Sequence, residues 1–494
     1  MSVPPSFPAP EPPVGATAPP AWARAVDVVC LLLVLLAVVV AEWGGFRERV
    51  GGLRIALTSP YRLAIAALVL GALRHMVAPQ PPIWADLPRR LMRGLRTGAA
   101  RAAWSALVGT RPAILFVGYL AVVMFGYSNG GRPPLRLSEN EVANLQVRWD
   151  MAWYFGIATE GYRVLSHDPN AQQNIVFFPA FPMIVRVTAR LLGGATMAFI
   201  IAGTGVTLGA FFWGLTYLFR LARELTGDDD PARFTVWLIA AYPFALFYGA
   251  IYTESLYLLG ATAAFFHFRK HEWWAAGAWG LLVGLTRPNG CFLSIPLAVL
   301  AIGPWLPAWV NGGPSADRER DPARRSFRTL AASLASAAMP GIGVLLYSAY
   351  MWKLAGNPLA WAAGHAAWGR GYSGFLPLIT DRYAWLANEG LYAYTSQVPA
   401  DLLNALGAIF VLVAAIPVAR RLGLAYAVFI LINVLPPMAA GGMLSVGRFS
   451  SVLFPAFIWF ATAVPVRHRT GWLASFMAIQ AFNAALFYTW RGLY

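Results

Sequence analysis

The stretch Met197–Phe219, MAFIIAGTGVTLGAFFWGLTYLF, carries no charged side chain and lies between Arg190 and Arg220. About 20 mostly apolar residues suffice to carry a helix across a bilayer, and because lipid offers no hydrogen-bond partners, an isolated span must be helical. Outward from this run the pattern recurs. Val26–Ala41, Pro112–Tyr127, Phe234–Gly249, Ser255–Phe268, Trp273–Leu285, Cys291–Val310, Leu330–Met351, Leu402–Ala419, Leu424–Ala440, Phe449–Val464 and Trp472–Trp490 each read as a span. Leu63–Leu73 is shorter and reads equally as a re-entrant or interfacial helix. The expectation is an all-α polytopic membrane protein with roughly 11–13 transmembrane helices and two structured outer loops.

Composition agrees. The 494 residues are 58% hydrophobic and 12% charged, whereas a soluble domain carries about 25% charged residues. The net charge of +16 is not the footprint of a nucleic-acid partner, because the arginines fall in short clusters between apolar runs instead of on one face. Cys30 and Cys291 sit far apart in apolar runs, which excludes a disulfide framework and a CxxC motif. Ser2–Pro20 is rich in proline and alanine and lacks the basic start of a signal peptide, so residues 1–21 read as disordered.

Cytoplasmic loops retain lysine and arginine. Arg74–Arg111, Arg220–Arg233, Arg269–His271, Arg318–Arg328, Arg420–Arg421 and Arg467–Arg469 are basic and, with the spans above, all fall on one side. The long segments 128–177 and 353–400, and the turns near Tyr252, Arg287 and Arg448, then face outward. Arg47, Arg49 and Arg54 run against this pattern if Leu63–Leu73 spans. Loops of such length usually carry function or their own structure, so the two outer segments are the expected active-site cap. In the first, apolar residues at helical spacing predict an amphipathic helix on the membrane surface over Asn144–Ala158.

The first outer segment contains Arg148-Trp149-Asp150, Trp153-Tyr154, Ile157-Ala158, Gly161-Tyr162, Phe177-Phe178-Pro179 and Phe181-Pro182, and a later turn reads Tyr252-Thr253-Glu254. In this ordered set the chain resembles the PIG-V mannosyltransferase family, best over Pro112–Asn289. The resemblance implies a GT-C-type fold, a catalytic acidic residue in the first outer loop and a polyprenyl- or dolichyl-phosphate-linked sugar as donor. The chain then divides into N-terminal anchor helices with a basic cytoplasmic loop (22–111), a GT-C-like catalytic module (112–310) and a C-terminal membrane module (329–494).

The residues support the same chemistry independently. Displacement at an anomeric carbon needs a base within about 2.6–3.2 Å of the attacking hydroxyl, and Asp150 is the first candidate. Alternatively, Arg148 and Asp150 pair to hold the interfacial helix. Glu254, a carboxylate at the outer end of an apolar helix, is the second catalytic candidate, because such a charge is costly unless paired or functional; the favourable charge–dipole position at a helix N-terminus is the competing explanation. Arg287 and Arg448 break the positive-inside pattern and suit a phosphate group on that face. With them, Arg148, Trp149, Tyr154, Tyr252, Asn289 and His365 form the expected substrate-binding set, and Trp368-Gly369-Arg370 invites the same reading. No HExxH or carboxylate-rich motif occurs, so neither a metal nor a cofactor is expected.

The function these observations predict is a membrane glycosyltransferase, with mannose implied by the resemblance. It would move a sugar from a lipid phosphate to a lipid or glycan acceptor hydroxyl with inversion, on the non-cytoplasmic face of the cell inner membrane or plasma membrane. A transporter or flippase of lipid-linked glycans, and a membrane glycan polymerase or ligase, are the competing classes. A transporter should place charges at mid-bilayer on broken helices.

Overall fold

The computed structural model describes residues 19–50, 53–128, 133–164, 166, 168, 170–305 and 326–493. Residues 1–18 of the stretch 1–21 expected to be disordered, and most of the basic cluster 318–328, lie outside these residues; the first helix starts at Ala21, inside that stretch. The chain divides after Arg96 into two compact units.

In the first unit, helices Ala21–Trp43 and Pro60–Val77 are joined by an antiparallel hairpin of strands Phe46–Val50 and Leu53–Leu57. The second helix is longer than the apolar run Leu63–Leu73 because Ser59 caps it and Pro60 fits its first turn. Leu31, Leu32 and Leu35 point outward, as lipid-facing side chains do. Between the helices Asp27 and Arg74 form a buried ion pair at 2.8 Å, and Arg74 also donates to the carbonyls of Ala78 and Gln80. Arg74 is therefore an interior residue and not a loop charge.

The second unit is helical throughout its regular structure. Helix Gly98–Phe125, capped by the Thr97 hydroxyl, runs unbroken through Pro112, and the expected module boundary at 111/112 falls inside it. Helix Thr196–Thr226 runs through the interior, with Phe211, Leu215, Leu218 and Leu221 fully buried. Helix Trp273–Thr286 packs along helix Phe327–Ala355. Since apolar burial gives little drive between helices in lipid, close backbone approach at small residues holds such pairs together. Gly284 is one of them, because a Cβ there would strike the Pro340 carbonyl.

Nine helices among the described residues are long and apolar enough to span, and the protein is an integral membrane protein. Several expected spans are shorter or broken. Phe234–Gly249 is helix Asp229–Ala241 followed by a 3-10 turn at Ala245–Tyr248; Pro243, lacking an amide hydrogen, marks the break. Phe449–Val464 is split into helices Val446–Ser450 and Phe454–Ala463. Helix Glu254–Arg269, by contrast, contains the whole expected run Ser255–Phe268; it has 16 residues and is buried over most of its length. Arg111, assigned above to a cytoplasmic loop, lies buried inside its helix. There it donates to the carbonyls of Ala240 at 2.7 Å and of Ala245, satisfying the backbone that the break at Pro243 exposes.

The two segments expected to face outward, 128–177 and 353–400, also differ from expectation in their local structure. Asn144–Ala158 is not one helix. Helix Glu141–Asn144 ends, the chain reverses at Trp149, and a new helix runs Met151–Glu160. The second outer segment carries its own helix, Leu376–Gln397, kinked at Gly390.

Candidate active site

Four separate elements of the second unit meet at one cluster of charged side chains. Trp149 adopts φ 51°, a conformation disfavoured for a bulky residue, and this turn delivers Asp150 to the start of helix Met151–Glu160. The Asp150 amide donates to the Tyr252 hydroxyl at 3.0 Å. Glu254 opens helix Glu254–Arg269, and Arg287 follows helix Trp273–Thr286. Ser445, also at positive φ (60°), starts the short helix that bears Arg448. Gly447 is required there because the Phe244 ring occupies the space of any Cβ.

The charged groups form a continuous chain. The Arg448 guanidinium holds the Asp150 carboxylate at 2.8 Å and also pairs with Glu254. Arg287 holds the same Glu254 oxygen at 3.0 Å. Glu254 is fully buried, whereas the Asp150 side chain is 27% exposed, so Asp150 is the carboxylate that a substrate can reach. Burial opposes the charge of Arg448, but Glu254 and Asp150 outweigh it and raise its pKa above the ordinary arginine value. Its guanidinium lies over the Tyr252 ring at 4.6 Å and the Phe247 ring at 5.2 Å, cation–π contacts that fix its plane.

Arg370, from the second outer segment, stacks on Phe449 at 5.1 Å and donates to the Leu444 carbonyl at 3.1 Å. Burial, with repulsion from Arg448 and Arg287, draws its pKa down to about 10, so it stays cationic at neutral pH. Phe449 carries Arg287 on its ring as well, at 5.3 Å. Among the described residues, Arg287 Nη1 and Glu254 Oε2 are both buried without a hydrogen-bond partner. Buried polar atoms left without a hydrogen bond are costly.

Of the residues expected from sequence, Asp150, Glu254, Tyr252, Arg287 and Arg448 come together. Tyr154 packs edge-on to Tyr252 at 6.2 Å, its hydroxyl pKa pushed up to about 12 by burial. Four others are engaged elsewhere. Arg148 does not pair with Asp150: its side chain is 1% exposed and donates to the carbonyls of Tyr488, Asn144 and Val147. This removes the alternative in which an Arg148–Asp150 bond holds the helix. The Trp149 indole donates to the Phe487 carbonyl at 3.1 Å. Asn289 donates to Asn433, which Tyr257 also engages. His365 donates from Nδ1 to the Trp361 carbonyl at 2.7 Å, which leaves Nε2 as its acceptor, and burial lowers its pKa. Sequence reasoning grouped Arg370 only loosely with His365 and missed Phe247 and Phe449; an arginine in an outer segment was the one available signal. Among the described residues no cluster of three or more metal-ligating side chains occurs.

The fold defines a polytopic membrane protein whose charged centre joins residues distant in sequence. Residues 136–417 match the profile of the mannosyltransferase (PIG-V) family, more than half of the chain, and the protein belongs to that family. It is accordingly a membrane glycosyltransferase. No curated protein and no solved structure matches it. Arg448 lies outside the matched residues, yet it is the group that ties Asp150 to Glu254.

Proposed function

We propose that the chain transfers mannose from a polyprenyl- or dolichyl-phosphate carrier to a hydroxyl of a lipid or glycan acceptor, by a GT-C-type inverting displacement on the non-cytoplasmic face of a cell inner or plasma membrane. Asp150 takes the proton of the acceptor hydroxyl, whose oxygen bonds to the anomeric carbon as the bond from that carbon to the phosphate oxygen breaks. Arg448, Arg287 and Arg370 stabilise the negative charge that develops on the departing lipid phosphate. Glu254 holds Arg448 and Arg287 in position; its complete burial makes it a positioning residue.

The observation that carries this reading is the 2.8 Å ion pair between Asp150 and Arg448, which sets a reachable base beside a phosphate-binding group. Charge balance supports the donor class. Three arginines against two carboxylates leave one positive charge, which matches the single negative charge of a lipid-phosphate sugar better than the two of a pyrophosphate-linked one. Arginines can neutralise a leaving phosphate without a divalent ion.

The test is transfer by purified protein from radiolabelled polyprenyl-phosphate mannose, compared with a nucleotide sugar, with and without EDTA. Transfer from the lipid phosphate that survives exhaustive chelation is the expected result. Turnover lost to EDTA and restored by magnesium or manganese would reassign Asp150 and Glu254 as metal ligands, and movement of the carrier without transfer would make the protein a transporter.

A further inference from the structure

Beyond the residues that match the family, the segment Phe487–Leu493 lies beside the charged site, where the Phe487 ring packs on Tyr252 at 5.9 Å and on Phe247 at 5.4 Å. Helix Val466–Tyr488 ends beside Arg148, and the last carbonyls of any helix lack partners within it. Arg148 Nε donates to the Tyr488 carbonyl at 2.8 Å, the Trp149 indole donates to the Phe487 carbonyl, and the Ser128 amide donates to the Thr489 carbonyl at 3.0 Å. A cation at a helix C-terminus is also favoured by the helix dipole. Trp490 then turns the chain at φ 61° and lays its ring on Trp149, with centroids 4.7 Å apart, and beneath the Arg148 guanidinium at 5.8 Å.

The same segment reaches Arg448 by another route. The Leu493 carbonyl accepts from Asn404 Nδ2 at 3.0 Å, and Asn404 Oδ1 accepts from the Gly447 amide at 2.7 Å. Asn404 is 1% exposed, so neither bond competes with bulk water. Contacts from this segment thus end on the residue immediately before Asp150 and, through Asn404, on the residue immediately before Arg448. Three of the four non-glycine residues at positive φ among the described residues are Trp149, Ser445 and Trp490. Such backbone persists only where its surroundings hold it, and here they do so around the two charged groups.

We propose that Phe487–Leu493 is a positioning clamp that sets Asp150 and Arg448 at their working separation, with Arg148, Trp149, Asn404 and Trp490 as its grips. The proposal rests on the reading of Asp150 as base and Arg448 as phosphate ligand. A displacement of about 1 Å at such groups costs on the order of 10²-fold in rate, so loosening the clamp slows turnover in protein that is still folded.

Trp490→Ala, Trp490→Phe, Trp149→Phe and Asn404→Ala, made in the full chain, are compared by kcat, donor KM and melting temperature on monodisperse protein. Trp490→Ala is expected to lose about 10-fold or more in kcat with little change in donor KM, and Trp490→Phe to recover most of it. Asn404→Ala frees the residue before Arg448 and raises donor KM as well. Should Trp490→Ala or Asn404→Ala fail to fold, Trp149→Phe decides: it keeps an aromatic ring against Trp490 and loses the N–H bond to Phe487, and a several-fold loss of kcat is expected. Folded variants with wild-type kcat and KM, or losses that only track the folded fraction, overturn the clamp. Asp150→Asn is run beside them: its inactivity alongside active clamp variants removes the clamp alone, whereas its full activity removes the underlying reading.

Discussion

Arg448 is the residue on which the two halves of the proposed chemistry converge, since it holds both Asp150 and Glu254. Lysine in its place keeps the charge but not the planar fork that can span two carboxylates or two phosphate oxygens. Arg448→Lys is therefore expected to weaken donor affinity and turnover together, as read from KM and kcat. Glu254→Gln removes a fully buried counter-charge shared by two arginines. Breaking a buried ion pair from one side costs about 3–5 kcal/mol, so a melting temperature well below that of the wild type should accompany the loss of donor binding. A Glu254→Gln protein with unchanged stability and unchanged donor affinity contradicts the role given to this carboxylate. At this scale much was legible in the sequence. Arg287 and Arg448 drew notice because they violate the positive-inside pattern, and Asp150 because of its motif. The partners of Arg148 were not legible: two residues of separation suggested an ion pair with Asp150, but the left-handed turn at Trp149 sends the two side chains to different elements.

At the scale of the element, hydropathy located the helices better than it located their ends. Met197–Phe219 lies inside helix Thr196–Thr226, as an uninterrupted apolar run should. Phe234–Gly249 is equally apolar but holds Pro243 and a 3-10 turn, and hydropathy cannot register a break whose residues stay buried. Tyr252 and Glu254 follow that break, and Arg111 supports it from a neighbouring helix. Replacing Arg111 by Met removes the side-chain donor to the Ala245 carbonyl and leaves the Ala240 carbonyl with only the weaker side-chain bond from Gln480 Nε2 at 3.3 Å. Each buried unsatisfied group costs about 1–3 kcal/mol, so thermal unfolding of Arg111→Met should shift down clearly. An unchanged unfolding profile would mean that the break does not depend on this arginine.

At the scale of the whole molecule, the proposed function puts the charged site on the non-cytoplasmic face, opposite the side on which the arginine clusters are expected. Single cysteines at Asn170 and Ser373, in a background without Cys30 and Cys291, should react with an impermeant thiol reagent in intact cells. Labelling only after lysis would reverse the orientation. The all-helical architecture was readable because lipid permits few alternatives to the helix, whereas the hairpin Phe46–Leu57 was not, being short and rich in arginine. The central claim, that Asp150 is the base of a sugar transfer from a lipid phosphate, is tested most directly by Asp150→Asn, a nearly isosteric change that cannot accept the proton. Turnover and donor binding of the folded variant are measured with labelled polyprenyl-phosphate mannose. The account predicts a fall in turnover of about 10²-fold or more with donor binding close to that of the wild type. A well-folded Asp150→Asn protein that transfers sugar at the wild-type rate would contradict it.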